Sequence, residues 1–406
     1  MQDLKEEFPI FKNNQRPQKP FVFLDSAVST HKPKSVIEAM SRFQSHDYGS
    51  IHRGAYSTSV KASQIYEKTK EELAEFLSPS LKSKNIIFTK NTTESMNILA
   101  NGLSKTKLTE HDRIVLPAIE HHANLVPWQQ AALATNCEIA YIPMKSEKDL
   151  TLNLDAARKL INKNTKILTF AYVGNVLGQI NPIEELIEMG KDVQATIIID
   201  CAQSVTSFTR DLFSLGADAI AFSGHKIYGP TGIGVLAMRD ELVETLPPLL
   251  FGGGMVSSVS LEESRWLDGP EKFEAGTHAT TEIAGLLEAL KWLKKISPNA
   301  IHKHCSYLNS VFLDGLKKIP DMDIYSQESG LEFITSFRHR RLHAHDLATI
   351  LDHENISMRA GHHCAWPLIK FLNVDALLRA SFGAYTSLED VEIALRVLRK
   401  VNDLKI

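Results

Sequence analysis

Cysteine is scarce in this 406-residue chain: Cys137, Cys201, Cys305 and Cys364 lie far apart, with no Cys-x-x-Cys pair. That spacing gives no basis for a disulfide framework or a thiolate-rich zinc site, so each is read as a lone thiol and no metal is expected. Blocks of like charge are also absent, and the net charge is only −3. This excludes the electrostatic footprint of a nucleic-acid or anionic-membrane binder. No stretch approaches the roughly 18 uninterrupted apolar residues of a membrane span. The opening residues, "MQDLKEEFPIFKNN", are acidic and mixed. They lack both the apolar stretch of a signal peptide and the acid-poor composition of a transit peptide, so a cytoplasmic protein is expected. The glycines of "YGPTGIG" match neither a dinucleotide fingerprint nor a P-loop.

What is present is material for a core, with 43% apolar residues. The length allows two or three domains, or one large domain with a smaller one attached. The middle of the chain alternates short apolar runs with amphipathic helical patterns. "NIIFT" (85–89), "RIVLPAI" (113–119), "CEIAYIPM" (137–144), "KILTFAYV" (166–173) and "TIIID" (196–200) read as strands. "DAIAFS" (218–223) and "GIGVLAMR" (232–239) follow with only a loop between them, so this last pair is expected to be antiparallel. Near-continuous apolar strands separated by helices predict an α/β fold whose mostly parallel sheet is covered on both faces. After about residue 295 the pattern changes to a smaller α+β unit, with a strand at "FITSFRH" (333–339), short strands around "ISMRAG" and "LLRASFGAY", and a last helix opened by a capping box from Ser387 to Asp390. The expected division is an N-terminal segment (1–22) packed on the small domain, a large domain (23–295) and a small domain (296–406). Residues 251–277 are Gly- and Ser-rich and long for a connection, which marks a functional loop.

In an open α/β sheet, ligands bind beyond the carboxyl ends of the strands. The polar residues there are Asp200 and Gln203, Ser223, His225 and Lys226, the "TTE" of Thr92, Thr93 and Glu94, His121, and Asn175. Taken singly, each is as easily a helix cap, a turn residue or a solvated charge. Taken together they suit a phosphate-bearing pyridine cofactor. A lysine amine forms a Schiff base with its aldehyde. An acid such as Asp200 facing the ring nitrogen keeps the ring electron-withdrawing. A hydroxyl-rich helix N-terminus, "NTTES", suits the phosphate, Ser223 and His225 add donors, and an imidazole such as His121 can stack on the ring.

The stretches "SGHKIYGPTGIGVL", "IIIDCAQS", "EHHANLVPW", "NVLGQINPI", "FEAGT" and "RAGHHCA" together resemble a group II (Suf-type) cysteine desulfurase or selenocysteine lyase. These are class V aminotransferase-like enzymes that use pyridoxal 5'-phosphate. The resemblance covers nearly the whole chain. It implies the fold type I architecture of pyridoxal-phosphate-dependent transferases, with a seven-stranded sheet in the large domain. Lys226 would carry the cofactor, Asp200 would face the ring nitrogen and Gln203 the ring hydroxyl. His121 would stack on the ring and relay protons. Thr93, Ser223 and His225 would hold the phosphate, joined by Thr277 from the second subunit of a homodimer. Arg379 and Asn175 would clamp the substrate carboxylate, with Arg359 in the same pocket. Val28 and His278 stand where the family more often has alanine and proline.

Cys364, in "RAGHHCAWP", has three readings: metal ligand, buried structural thiol or nucleophile. His362, His363 and Cys364 are adjacent in a segment read as extended, so their side chains are expected to point to opposite faces and not to chelate. "HKHC" (302–305) reads as a solvated helix face. A buried structural thiol suits Cys137 and Cys201 better, because they flank apolar strands. Cys364 lies in a Gly-His-His loop beside an arginine, a positive setting that suits a nucleophile. The resemblance then implies L-cysteine as substrate, with L-selenocysteine as a second one. The products would be alanine and a persulfide on Cys364, passed to a small sulfur-acceptor protein in iron–sulfur cluster assembly. The alternatives are another enzyme with the same cofactor, such as an aminotransferase or β-lyase in which Cys364 is incidental, and a non-catalytic scaffold.

Overall fold

The computed structural model describes residues 2–17, 19–51, 54–205, 210–326 and 333–403. Its centre is a seven-stranded sheet: β1 (Ile86–Thr89), β2 (Arg113–Pro117), β3 (Glu138–Ile142), β4 (Thr165–Ala171), β5 (Thr196–Asp200), β6 (Ala219–Ser223) and β7 (Gly234–Met238). The spatial order is β1-β7-β6-β5-β4-β2-β3. β2 to β6 pair in parallel, and β7 is antiparallel to both of its neighbours. β7 reverses because the chain returns from β6 through the connection 224–233, which holds a 3₁₀ turn but no crossover helix. β1, β5, β6 and β7 are buried along their whole length. This is why their apolar runs show no alternation. β3, at the sheet edge, mixes buried and exposed residues and is shorter than its apolar run.

A second, four-stranded antiparallel sheet has the order Met322–Ile324, Ile334–His339, Leu377–Ser381, Arg359–Gly361. The last helix, Leu388–Asp403, does open on a capping box. The Ser387 N–H donates to Asp390 at 2.8 Å, and the Asp390 N–H donates to the Ser387 hydroxyl at 3.1 Å. Asp390 also accepts from Lys5 at 2.6 Å, which ties the N-terminal segment to this helix. That segment reaches the other side too: the Phe8 ring packs edge-on against Trp292 and Tyr385.

Two expectations need correction. Residues 251–277 are not simply a loop, because Val256–Val259 and Ser264–Trp266 pair as an antiparallel hairpin. Its turn closes with Ser260 N–H on the Glu263 carbonyl at 2.8 Å, and Leu261 at its tip is fully exposed. The "HKHC" stretch is not a solvated face either. It lies in helix Pro298–Leu316, where Cys305 is buried and the His304 ring donates to the Thr386 carbonyl at 2.7 Å. Among the described residues, no cluster of three or more His, Cys, Asp or Glu is placed to hold a metal, and no helix is long and apolar enough to cross a membrane.

Candidate active site

The carboxyl ends of β4, β5 and β6 and the turns after β1 and β2 enclose a cavity of about 260 Å³. Strand geometry delivers side chains there. Asp200 is the last residue of β5, and its register partner on β4 is Ala171. Asp200 is buried, and its carboxylate accepts the Ala202 N–H at 2.8 Å. Burial raises its pKa, while that N–H and Lys226 pull the other way. A buried acid of this kind favours a cationic partner, such as a protonated ring nitrogen.

Lys226 ends the short 3₁₀ turn Gly224–Lys226 that follows β6. Desolvation lowers its amine to about 8, against the opposing pull of Asp200. An amine so lowered is unprotonated often enough to attack an aldehyde near neutral pH. The hydroxyl of Ser223, just before this turn, faces helix Thr92–Thr106. It accepts the Thr92 N–H at 3.0 Å and lies 2.8 Å from the Thr92 hydroxyl. Asn91 caps that helix by accepting the Glu94 N–H at 3.0 Å. The Asn91 turn comes so close to β7 that a Cβ on Gly234 would meet its main chain at 2.6 Å. Thr93 is exposed and lines the cavity. His225 also lines it, and its buried Nδ1 has no hydrogen-bond partner among the described residues. A helix N-terminus, free hydroxyl surface and an unpartnered imidazole nitrogen form a fitting cradle for a phosphate.

His121 precedes the turn His122–Asn124, and its Nδ1 accepts the Ala123 N–H at 3.0 Å. That bond leaves Nε2 carrying the proton. Burial, then Lys226, lower its pKa to about 3, so the ring is neutral. Gln203 donates to the Ala27 carbonyl at 2.7 Å and keeps its carbonyl oxygen for a ligand.

Arg359 and Arg379 face each other on adjacent strands of the small sheet. Like charges opposed in this way destabilise a sheet unless an anion lies between them. Arg379 is buried, and burial lowers it to about 10. It donates to the Asn175 carbonyl at 2.7 Å and approaches Asp25 at 3.4 Å. Its Nε has no partner among the described residues. The Asn175 side chain donates to the His363 carbonyl at 2.7 Å. Of the four cysteines, Cys364 alone is exposed, and it lines the same cavity as Lys226. Its loop is not extended: His363 and Cys364 have φ of 53° and 55°.

Ten of the expected residues besides Lys226 therefore meet at one cavity: His121, Asp200, Gln203, Thr93, Ser223, His225, Arg379, Asn175, Arg359 and Cys364. Thr277 does not line it and is exposed on its own chain. Sequence reasoning missed Glu120, which is buried in the cavity wall and raised to about 8 by burial. Its carboxyl accepts from Asn124 at 2.9 Å and from the Ala171 N–H at 2.8 Å. It also missed Asp25, the carboxylate that Arg379 approaches. The only signal for Glu120 was its place beside His121.

The aminotransferase class-V family model matches residues 22–394. The chain is 38% identical to a probable cysteine desulfurase from Halalkalibacterium halodurans, over 99% of this chain and 98% of that protein. It superposes with a TM-score of 0.92 on an apo cysteine desulfurase from Thermococcus onnurineus NA1, at 34% identity over 98% and 97% of the two chains. A cysteine desulfurase from Escherichia coli in an S-sulfonic acid form gives 0.90, at 32% identity over 99% and 98%. The half-buried Lys226 with its lowered amine, the buried acid and the phosphate cradle fit pyridoxal phosphate, and the chain belongs to the pyridoxal-phosphate-dependent cysteine desulfurases of the class-V aminotransferase family.

Proposed function

We propose that this chain is a Suf-type cysteine desulfurase. It takes L-cysteine, releases L-alanine and leaves a persulfide on Cys364 for a small acceptor protein in iron–sulfur cluster assembly. L-selenocysteine is its second substrate, and the enzyme works as a cytoplasmic homodimer. The observation that carries this reading is the exposed Cys364 at the mouth of the cavity that holds Lys226.

Bound pyridoxal phosphate supplies an aldehyde for amine exchange and a ring that draws electrons from the α-carbon. Lys226 would hold it, and its amine would take the α-proton. Asp200 would pair with the ring nitrogen and Gln203 with the ring hydroxyl, and neutral His121 would stack on the ring, with its Nε2–H available for proton relay. Thr93, Ser223 and His225 would hold the phosphate, and Thr277 would reach it from the second copy. Arg379 and Asn175 orient the substrate carboxylate, with Arg359 beside them; a planar guanidinium suits a carboxylate. The Cys364 thiolate attacks the substrate sulfur. A sulfur–sulfur bond forms, the carbon–sulfur bond breaks, and its electron pair stays on the carbon that becomes the alanine methyl.

The domain division at 22/23 and 295/296 belongs to the same reading. Its support is that Arg359, Arg379 and Cys364 come from the small sheet and its loops, while Lys226 and Asp200 come from the large sheet. The test is product analysis with L-cysteine and a reductant. Equal amounts of alanine and sulfide support the proposal, whereas pyruvate and ammonia in their place would overturn it.

A further inference from the structure

Two histidines follow Glu120, and of these His121 lines the cavity while His122 does not. His122 is half-buried against the cysteine loop. Its main-chain N–H donates to the Cys364 carbonyl at 2.8 Å. Its ring Nε2 accepts the Trp366 N–H at 3.1 Å. One residue thus grips the main chain at the cysteine and two residues beyond it.

That grip has a conformation to hold. His363 and Cys364 are successive residues in the left-handed region, at φ 53° and 55°. For L-residues this costs free energy and persists only where the surroundings impose it. Further holds come from Asn175, which donates to the His363 carbonyl at 2.7 Å, and from the His363 ring, which donates to the Leu377 carbonyl at 3.1 Å. The His362 ring stacks on the exposed Trp366 with centroids 3.7 Å apart. These contacts restrain the loop before the cysteine and beside it, but among the described residues His122 alone holds the main chain at both 364 and 366. Its ring nitrogen must be unprotonated to accept the Trp366 N–H. Burial, then the neighbouring His362, lower its pKa and favour that form.

We propose that His122 is a positioning residue for the nucleophile: it locks the left-handed cysteine loop so that the Cys364 sulfur stays at the cavity mouth. It acts through the main chain and does not touch the substrate. The inference rests on the reading of Cys364 as the sulfur-accepting nucleophile.

The test uses the holoenzyme and two variants. His122→Phe keeps a ring but has no acceptor, and His122→Gln offers a side-chain oxygen in its place. In His122→Phe, alanine formation at saturating L-cysteine falls about fivefold, the worth of one ordinary hydrogen bond, while KM stays at the parent value. Amide exchange of the peptide covering 362–368 quickens by a similar factor. His122→Gln brings both back toward the parent, and the visible absorbance of the bound cofactor stays unchanged in either variant. A parent rate with parent exchange in His122→Phe overturns the proposal. So does a change in only one of the two readouts. If His122→Phe does not fold, His122→Ala replaces it with the same readouts. A Cys364→Ser arm separates the two levels. Parent-rate alanine formation in Cys364→Ser defeats the nucleophile reading itself. Its loss there, with His122→Phe at parent rate, defeats only the lock.

Discussion

Replacing Glu274 by glutamine removes one charge from an enclosed cluster. The side chains of Lys70 and Glu274 are each 2% exposed, and Lys70 Nζ lies 2.9 Å from the carboxylate. The same carboxylate accepts from the Tyr66 hydroxyl at 2.7 Å, the Phe88 N–H at 2.8 Å and the His278 ring at 2.8 Å. Glutamine keeps the shape and one acceptor oxygen but leaves the Lys70 cation buried without a counter-charge. Breaking a buried pair in this way costs about 3 to 5 kcal/mol. The Tyr66 ring, 4.5 Å from the ammonium, retains part of the attraction, so the low end applies, about 3 kcal/mol. At about 2.1 cal/mol/K per residue, the unfolding entropy of 406 residues is about 0.85 kcal/mol/K. Thermal unfolding of the holoenzyme by Glu274→Gln should therefore drop by roughly 3 to 4 °C. Lys70→Met on top of Glu274→Gln should recover much of that, since the stranded charge is gone. The pH dependence follows. Burial alone would raise the Glu274 carboxyl, but Lys70, then His278 and the Phe88 N–H, hold it down at about 2. A depressed acid stabilises the fold above its unfolded value and loses that contribution as pH falls toward the folded one. The gap between parent and variant should thus be widest near neutral pH and shrink below about pH 4. An unchanged melting temperature at pH 7, or a gap that widens in acid, refutes the reasoning.

Borohydride treatment of the yellow holoenzyme should fix the cofactor to the peptide containing Lys226, and Lys226→Ala should lose both the label and alanine formation; a label elsewhere removes Lys226 from its role. Arg379→Lys keeps the charge but loses the planar fork, so KM for L-cysteine should rise on the order of tenfold to a hundredfold with a smaller change in kcat. An unchanged KM would show that Arg379 does not hold the carboxylate. Turnover of L-cysteine without an acceptor should be low and rise strongly when a small sulfur-acceptor protein with a reactive cysteine is added. Full turnover with reductant alone, and no response to any acceptor, contradicts the relay.

The sheet was legible because its strands are buried on both faces. "TIIID" became β5 from end to end, and the antiparallel return of β7 followed from the missing crossover helix. The edge strand β3 was overdrawn because its flanking residues are apolar but unpaired in the sheet. The site was legible where strand ends dictate it, as for Asp200, Ser223 and Lys226. It was illegible where the contact is made by chain folding. Nothing in "NTTE" shows that the Thr92 hydroxyl turns in to Ser223 while Thr93 stays exposed. Nothing in "AIEHH" shows that Glu120 reaches back to the Ala171 N–H, or that His121 and His122 serve different surroundings. The cysteine loop misled for a related reason. The expected extended path failed because His363 and Cys364 adopt left-handed angles that only tertiary contacts impose. A hairpin within 251–277 was missed because its residues are almost all exposed, so no burial pattern marks the strands.

The most direct measurement is alanine formation by Cys364→Ser with two substrates, L-cysteine and L-selenocysteine. Both need the amine exchange and the loss of the α-proton, so both depend on Lys226. They part at the next step: sulfur leaves poorly without attack by Cys364, whereas the weaker carbon–selenium bond breaks with little help. The variant should keep the colour of the bound cofactor. It should lose alanine formation from L-cysteine by several orders of magnitude, on the order of 10⁴ to 10⁶ as for other lost nucleophiles. It should retain a sizeable share of its rate on L-selenocysteine. Alanine formed from L-cysteine at the parent rate would contradict the account and leave Cys364 a bystander.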